Sequence, residues 1–251
     1  MLRLIANFFK GQVRISKDEK TVIWVLDNKK HIINAIKTFD KYPPLTSRLF
    51  CSLSFLKFCL KNNDVDIYLS TRNFKYSNQL NVIHSWLIKL CTPCLNEGLS
   101  NLNTIKELSL KDINSYTINK RPRLANVSEL EILNLNEKGL LNPNSCRPAA
   151  KLNSYFYSWL SGFIEAEGCF SIRKNNACSF SIAQNNDIYI LYLIKSYFNA
   201  TNKIRKPYKD KPLYSLEIYK KLVLQNIIKH CEEYSLLGAK LDSLEKFKKF
   251  I

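Results

Sequence analysis

No run of apolar residues in the sequence reaches the roughly 18 residues that a membrane-spanning helix needs. The apolar and basic segment Met1–Arg14 also lacks the small-residue cleavage site of a signal peptide, so we interpret it as an ordinary amphipathic helix. We therefore expect no membrane partner.

Cysteine and histidine are present, but they lack the spacing of a disulfide framework or a metal site. The 8 cysteines are scattered through a chain that is too large to need disulfide staples. Cys91 and Cys94 have the CxxC spacing of a zinc knuckle or a redox pair, but no second CxxC or suitably spaced histidine pair follows them. We expect reduced thiols, no bound zinc, and surface or core positions for His31, His84 and His230.

Acidic residues are scarce relative to basic ones. The chain has 38 Lys and Arg residues against 21 Asp and Glu residues, which gives a formal net charge of +17. Such an excess favours a polyanionic partner, of which nucleic acid is the commonest. A solvated basic surface would produce the same excess, and so would the AT-rich codon usage of an organelle gene. The hydrophobic content of 46% excludes a disordered chain.

The most informative pattern is an internal repeat. Val22–Leu49 aligns without gaps on Tyr214–Leu241, at a constant offset of 192 residues. Further upstream the offset becomes 189, which sets Leu2–Phe9 opposite Leu191–Phe198. The identical pairs include Lys29/Lys221, Asn34/Asn226, Ile36/Ile228, Lys37/Lys229, Tyr42/Tyr234, Leu45/Leu237 and Leu49/Leu241.

The second copy predicts a complete αββαββα unit, an α+β fold with an antiparallel sheet covered by helices on one face. Helical periodicity, strand alternation and the N-cap chemistry of Asn185–Asp187 indicate its elements. In chain order they are Ser154–Gly168 (helix), Cys169–Arg173 and Ser179–Gln184 (strands), Ile188–Phe198 (helix), Lys203–Pro207 and Leu213–Tyr219 (strands), and Leu222–Tyr234 (helix).

The first copy is predicted to be partial. Met1 falls opposite about Ile190, so the counterpart of Ser154–Tyr189, the motif helix and the first two strands, is missing. We therefore predict three regions. They are a partial first repeat over residues 1–119, with helical additions at Leu80–Leu95 and Leu102–Ile113; a linker over residues 120–152; and a complete second repeat over residues 153–251.

Leu160–Gly168 reads LSGFIEAEG, which resembles the LAGLIDADG motif with Glu in place of both Asp residues. The following strand Cys169–Arg173 and the late basic segments Tyr42–Arg48 and Ser235–Leu241 are also similar to that family's sequences. The chain thus resembles the LAGLIDADG homing endonucleases and intron maturases over about residues 1–60 and 154–251. The resemblance implies two motif helices that pack together at an axis between the repeats.

The small residues Gly162 and Ala166 lie four apart on the predicted motif helix, where they would let a partner helix approach closely. We predict that they form the helix interface, through which two chains could also self-associate. The alternative is a helix packed closely on its own sheet.

Glu167 lies at the C-terminal end of this helix, where the helix dipole disfavours a carboxylate by about 0.3–1 kcal/mol. Gly168 is the natural residue to end the helix there. A carboxylate held against the dipole is suited to face a divalent cation. The resemblance implies that Glu167 is the catalytic acid that binds Mg²⁺ near the scissile phosphate. Glu165 is interpreted as a structural or solvated carboxylate.

Three further catalytic positions come from the resemblance. Gln184 closes the second strand, where the family often has a polar residue that reaches toward water or phosphate. Lys240 follows the last helix of the repeat, where the family has a basic residue near the active centre, and Arg48 is its first-repeat equivalent. Each of the three has the alternative of being an ordinary surface residue.

Strand alternation indicates a DNA-binding surface. Counted from Glu167, one sheet face carries Ser171, Arg173 and Asn175, opposite the core-facing Phe170 and Ile172. Basic residues crowd the second hairpin, and such a sheet face can lie along the major groove. The alternative is an ordinary solvated sheet face. The hairpin's contributions are Lys203, Arg205, Lys206, Lys209 and Lys211, with Tyr208 among them.

Three functions follow from the resemblance. The first is metal-dependent hydrolysis of double-stranded DNA at a long target site; the second is a maturase that binds a group I intron RNA without catalysis; the third is an inactive remnant. The missing first motif helix removes the partner acid, which could be supplied by an upstream segment or by self-association. Intron-encoded proteins of this family imply an organelle, foremost the mitochondrion, with the chloroplast as the alternative.

Overall fold

The computed structural model describes residues 1–83 and 155–251. The second predicted helical addition, the linker and the Cys91/Cys94 pair lie outside the described residues. Most of the first addition also lies outside them, and its described residues 80–83 are helical. Within the described ranges, no helix is long and apolar enough to cross a membrane.

The elements of the N-terminal half that lie wholly within the described residues are a two-stranded antiparallel sheet, four α-helices and a 3₁₀ turn. Gln12 pairs with Val25 at one end of this sheet, and Ile15 pairs with Val22 at the other. Asn28 and Asp64 start two of the helices, because each side chain accepts hydrogen bonds from the next backbone N–H groups. The elements are α1 (Leu2–Phe9), β1 (Gln12–Ile15), β2 (Val22–Val25), α2 (Lys29–Lys41), α3 (Ser47–Asn62), α4 (Val65–Thr71) and a 3₁₀ turn (Arg72–Phe74).

The C-terminal half builds the predicted α+β unit around a three-stranded antiparallel sheet of order β3-β4-β5. Gly168 pairs with Ile182 across β3 and β4, and Phe180 pairs with Ile218 across β4 and β5. Its elements are α5 (Phe156–Glu167), β3 (Gly168–Ile172), β4 (Cys178–Asn185), α6 (Ile188–Tyr197), β5 (Leu213–Ile218), α7 (Lys221–Glu233) and α8 (Lys240–Lys248).

The strand predicted over Lys203–Pro207 is reduced to one isolated bridge between Arg205 and Ser215. These two residues exchange both backbone hydrogen bonds, at 2.8 Å each. The next hydrogen-bonded pair would require Pro207 to donate, and proline has no N–H, so the ladder cannot continue in that direction.

The elements recur at the spacing that the sequence repeat predicts. Helices α2 and α7 both have 13 residues, and Lys29 precedes Lys221 by 192 positions. Strand β2, shifted by the same 192, falls within β5, and α3 starts 193 positions before α8. The predicted domain boundaries themselves lie mostly among residues 84–154 and stay a prediction.

Equivalent apolar residues of α1 and α6 are less exposed in the second copy than in the first. Leu193 is 8% exposed, whereas its first-copy counterpart Leu4 is 56% exposed. Phe8 is 74% exposed, whereas its counterpart Tyr197 is half-buried in an aromatic cluster. In the second copy, α6 packs on β4 and β5, and Phe156 and Tyr157 of α5 contact the ring of Tyr197. The first copy has no such cover among the described residues.

The two halves meet where the segment before α3 lies on the second copy. Leu45 belongs to the same buried core as Leu160, Phe180 and Leu216 of the second copy. The hydroxyl of Tyr189 donates to the Leu45 carbonyl oxygen at 2.6 Å, and that of Tyr155 donates to the Pro43 carbonyl oxygen at 2.8 Å. Burying these polar groups with partners fixes the segment on the core.

Candidate nucleic-acid-binding and catalytic site

The motif helix α5 ends at Glu167, and the chain passes directly into β3. Gly168 ends the helix, as predicted, but with an extended backbone (φ −72°, ψ 153°) rather than a left-handed one. Its lack of a side chain is needed for close approach, since a Cβ atom would lie 2.7 Å from the Ile164 carbonyl oxygen and 3.1 Å from Phe180. The glycine therefore sets Glu167 at the edge of the sheet.

One face of α5 is open to solvent. Gly162, Ala166 and Glu167 are all exposed, and a Cβ atom at Gly162 would have no described atom within 4 Å. The alternative of close packing of Gly162 on the chain's own sheet is therefore wrong for the described residues. The small-residue face remains available to a partner helix.

A glycine pair tests this geometry. We expect Gly162→Ala to raise the free energy of unfolding by up to about 1 kcal/mol, because alanine favours a helix interior and nothing obstructs its methyl group. Gly168→Ala should lower it by about 1–3 kcal/mol, because the added atom meets backbone. Urea denaturation of dilute protein measures both. A destabilised Gly162→Ala monomer would mean that the face is already packed.

Glu165 and Lys240 join the end of α5 to the start of α8. The Glu165 carboxylate accepts from the backbone N–H groups of Gly238 and Lys240, at 3.2 and 3.3 Å. The Lys240 ammonium donates to the backbone carbonyl oxygens of Glu165 at 2.8 Å and Ala166 at 3.4 Å. Glu165 thus has structural contacts, and the cation of Lys240 offsets part of the unfavourable dipole field at Glu167.

Gln184 lies near the end of β4, half-buried. Gln184 lies two residues beyond Ile182, the partner of Gly168, and so at the end of the sheet where β3 follows Glu167. Its amide nitrogen donates to the Asp187 carboxylate at 3.5 Å. Asp187 stands at the N-cap position of α6, as predicted, but its side chain does not cap the backbone N–H groups of that helix.

Arg48 is exposed and bound to Tyr76. Its Nε donates to the Tyr76 hydroxyl oxygen at 3.4 Å, and its guanidinium lies 5.5 Å from the ring centroid. Lys75 lies 4.7 Å from the same centroid. Burial acts to raise the pKa of Tyr76, but hydrogen bonds from Ser52, Arg48 and Lys75 outweigh it and lower the pKa to about 8. The structure thus brings Lys240 and Gln184 to the Glu167 end of the second copy, and places Arg48 with Lys75 at the ring of Tyr76.

The solvent face of the three-stranded sheet is polar. Ser171 lies on the same side as Cys169, at 3.4 Å between their side chains, while Phe170 packs on Phe180 and Phe247. Ile172, predicted to face the core, is 37% exposed, because it lies at the strand end. The remaining predicted DNA-binding residues, Arg173, Asn175, Lys203, Arg205, Lys209 and Lys211, are exposed, and Lys206 is half-buried.

Arg173 is paired with an acidic side chain on this face of the sheet. Its guanidinium forms an ion pair with Glu217 at 3.4 Å and lies 5.4 Å from the Tyr219 ring centroid. Surface pairs of this kind contribute little to stability, so Arg173 can exchange Glu217 for a phosphate at small cost. Lys211 stands over the Tyr208 ring at 4.9 Å in the neighbouring hairpin.

Glu167 offers an oxygen donor of the type that divalent cations such as Mg²⁺ prefer. The described residues hold no group of three or more His, Cys, Asp or Glu side chains that could enclose a metal ion. An ion held by one exposed carboxylate would take its other ligands from water and from a substrate phosphate, which is how Mg²⁺ is often bound. Glu167 therefore fits a metal ion that is bound jointly by the protein and a substrate phosphate, rather than one that is enclosed by protein side chains.

The sequence matches the family model described as LAGLIDADG endonuclease over residues 1–59 and 160–251. The chain belongs to this family. It is 40% identical to a probable intron-encoded endonuclease aI3 from Debaryomyces hansenii, which covers 99% of the chain but only 32% of that protein. The protein of the same name from Dictyostelium citrinum is 32% identical, over 99% of the chain and 75% of the relative. LAGLIDADG endonucleases generally use divalent metal ions.

Solved structures show the same fold. The homing endonuclease I-GzeII, in complex with its DNA target, is 20% identical with a TM-score of 0.57, over 99% of this chain and 74% of that one. The meganuclease I-AabMI, bound to uncleaved DNA, is 23% identical with a TM-score of 0.52, over 99% and 75%. The LAGLIDADG fold inferred from the motif is thus confirmed.

Proposed function

We propose that this LAGLIDADG chain binds double-stranded DNA at a long target site and hydrolyses its phosphodiester bonds with Mg²⁺. The observation that carries the proposal is the end of α5, where the exposed Glu167 adjoins carbonyl groups held by the Lys240 ammonium. A divalent ion bound by Glu167 would polarise the scissile phosphate and lower the pKa of an attacking water. Lys240, Gln184 and Arg48 are proposed as the supporting polar groups.

The proposed DNA surface is the polar face of the second sheet with the basic hairpin beside it. Side chains such as Ser171 and Asn175 are proposed to contact base edges, and the lysine and arginine residues to neutralise phosphates. The relatives with solved structures are complexes with DNA, which supports the same use of this face here.

Affinity for duplex DNA should depend strongly on salt. Six basic side chains, Arg173, Lys203, Arg205, Lys206, Lys209 and Lys211, are proposed phosphate contacts, so affinity should fall about 10³-fold between about 50 and 200 mM salt. Replacing Lys209 and Lys211 by Gln should reduce the slope of log affinity on log salt by about 2. Fluorescence anisotropy measures the slope.

Lys57→Gln is the control, because Lys57 is paired with Asp40 in the first copy. It should leave the slope unchanged. Affinity that stays flat with salt would contradict the proposed surface. A structured group I intron RNA that binds much more tightly than any duplex would favour the maturase function.

The open face of the first copy bears on activity. Because Leu4 and Phe8 are exposed where their second-copy counterparts are covered, we propose that a complete centre requires a second motif helix. It would come from an upstream segment or from another chain that packs through Gly162 and Ala166. Without either, the chain would be an inactive remnant.

An organelle is the proposed location. The relatives named above are intron-encoded endonucleases, and a further relative over 88 residues, 38% identical and covering 30% of this chain and 18% of that protein, is the uncharacterized mitochondrial protein RF1 of Saccharomyces cerevisiae. We propose the mitochondrion. Detection of the transcript or protein in a purified mitochondrial fraction, and not in chloroplasts, tests this.

A further inference from the structure

Asp187 is a buried carboxylate at the junction between the two copies. It is 1% exposed, and it is bound by a residue 140 positions earlier in the chain. One carboxylate oxygen accepts the backbone N–H of Ser47 at 3.0 Å, and the other accepts the Ser47 hydroxyl. The same side chain also accepts the Gln184 amide at 3.5 Å.

A buried polar cluster surrounds this contact. Gln79, also 1% exposed, donates its amide to the Ser47 hydroxyl oxygen at 2.7 Å, and the Tyr189 hydroxyl holds the Leu45 carbonyl nearby. The Ser47–Asp187 and Tyr189–Leu45 bonds join the two copies, and the Gln79–Ser47 bond joins two segments of the first half. These bonded donors and acceptors have fixed directions, which an apolar contact would not have.

The charge of Asp187 is costly in this place. Burial raises the pKa of its carboxyl group, against hydrogen bonds from Ser47, Gln184 and Tyr189 that lower it. All of these donors are neutral, so none brings a full positive charge to the carboxylate. What Asp187 does supply is an N-terminal cap for α3, whose own N-cap residue Thr46 makes no side-chain bond.

The carboxylate also fixes the polarity of Gln184. A carboxylate accepts only, so it must face the amide nitrogen of Gln184, and the amide oxygen is left to accept from a donor outside the cluster. In the proposed reaction that donor is a water molecule or another group at the centre. Arg48, the first-copy residue assigned to the reaction, directly follows Ser47 in the same helix turn.

We propose that Asp187 is a positioning residue that orients the Gln184 amide and the Ser47–Arg48 start of α3 together, and so couples the two copies of the chain. Its effect on catalysis rests on the proposed function, whereas its effect on the junction does not. Asp187 itself touches no substrate in this proposal.

Removing the acceptor tests the catalytic part. In Asp187→Ala the Gln184 amide and the Ser47 N–H both lose the carboxylate oxygen that they share. We expect kcat for cleavage of a duplex, selected for binding from a random library, to fall about tenfold or more with KM within about twofold. Asp187→Asn should keep most of the wild-type kcat, because its amide oxygen can take the place of the shared acceptor while its NH₂ group faces the Ser47 hydroxyl oxygen.

Asp64→Ala is the matched control, because Asp64 is an exposed helix N-cap whose contacts are local. It should change kcat less than about twofold. An Asp187→Ala enzyme with wild-type kcat, or an Asp187→Asn enzyme that is as slow as Asp187→Ala, would overturn the positioning role.

Hydrogen exchange tests the junction without DNA. In Asp187→Ala the Ser47 N–H loses its acceptor, so amides of residues 45–52 should exchange at least about tenfold faster, while those of α7 keep their protection. Asp64→Ala should speed exchange only around α4. Unchanged exchange at residues 45–52 would overturn the proposal. The expected exchange result from a chain that never cleaves DNA would instead refute the proposed function and leave the junction role standing.

Discussion

Replacing Glu167 by Gln is expected to reduce DNA cleavage about a thousandfold or more, while duplex affinity stays within about twofold of wild type. Glu167 is exposed, and no hydrogen bond or ion pair of its side chain is formed within the described part of the chain. The substitution therefore keeps the fold and the shape of the surface. What it removes is the charged oxygen ligand, and metal-assisted charge stabilisation amounts to several kcal/mol, equivalent to a factor of about 10³.

Glu165→Gln is the control within the same helix turn. Its carboxylate accepts from Gly238 and Lys240, so the variant should lose about 1 kcal/mol of stability and less than tenfold in cleavage. Cleavage that survives in Glu167→Gln would refute the assignment of the catalytic acid. The same assay, carried out over a range of protein concentrations, tests self-association. Activity linear in protein down to concentrations where the chain is monomeric would refute cleavage by a dimer.

Periodicity predicted the second copy well because its helices and strands bury one regular face. The motif helix was predicted over Ser154–Gly168 and is found over Phe156–Glu167, and the helix predicted over Leu222–Tyr234 is found over Lys221–Glu233. The motif further indicated that Glu167 ends the helix. The last helix α8 was not predicted, because only Leu244 and Phe247 of its residues are buried and the apolar signal is weak.

The N-terminal segment shows how a turn signal can be overlooked. A helix was predicted over Met1–Arg14, but α1 ends at Phe9, and Lys10 and Gly11 turn the chain with φ values of 69° and 92°. A Cβ atom at Gly11 would lie 2.4 Å from the Val25 carbonyl oxygen. The glycine is thus required by both conformation and space, and β1 begins directly after it. Among the sequence patterns, only the internal repeat indicated a strand connection at this point, where its offset changes from 189 to 192 residues.

Contacts between residues far apart in sequence were beyond any local pattern. Asp187 could be recognised as a helix N-cap, yet its carboxylate caps α3 instead, 140 residues away. Gln184 and Lys240 were assigned by resemblance. Only the structure shows what holds them: Asp187 binds Gln184, and backbone carbonyl groups of α5 bind Lys240. His230, predicted as a surface or core residue, is buried in a hydrogen-bonded aromatic cluster that nothing in the sequence indicated.

His230 is 3% exposed and has both ring nitrogens engaged. Nε2 lies 3.2 Å from the Ser161 hydroxyl of the motif helix, and Nδ1 lies 3.0 Å from the Tyr197 hydroxyl. The Tyr234 ring stacks on the imidazole at 5.2 Å between centroids. Burial lowers the pKa of His230 to about 4, although Glu233 acts in the opposite direction. The imidazole is therefore neutral in the folded chain and ties α5 to α6 and α7.

Stability should fall by roughly 3 kcal/mol between pH 7 and pH 4 on account of His230 alone. In the unfolded chain this residue takes up its proton near pH 6.5, whereas in the folded chain it does so only near pH 4. Between these values the unfolded chain binds more protons, so acid favours unfolding by about 1.4 kcal/mol for each pH unit.

Urea denaturation across this pH range should show the decline in stability. His230→Gln keeps polar atoms but does not titrate, so this variant should lack the part of the decline that is due to His230. The raised pKa of Asp187 acts with the opposite sign in both proteins, so the difference between them isolates His230. Parallel stability curves for the two proteins would mean that His230 is accessible to protons in the folded chain.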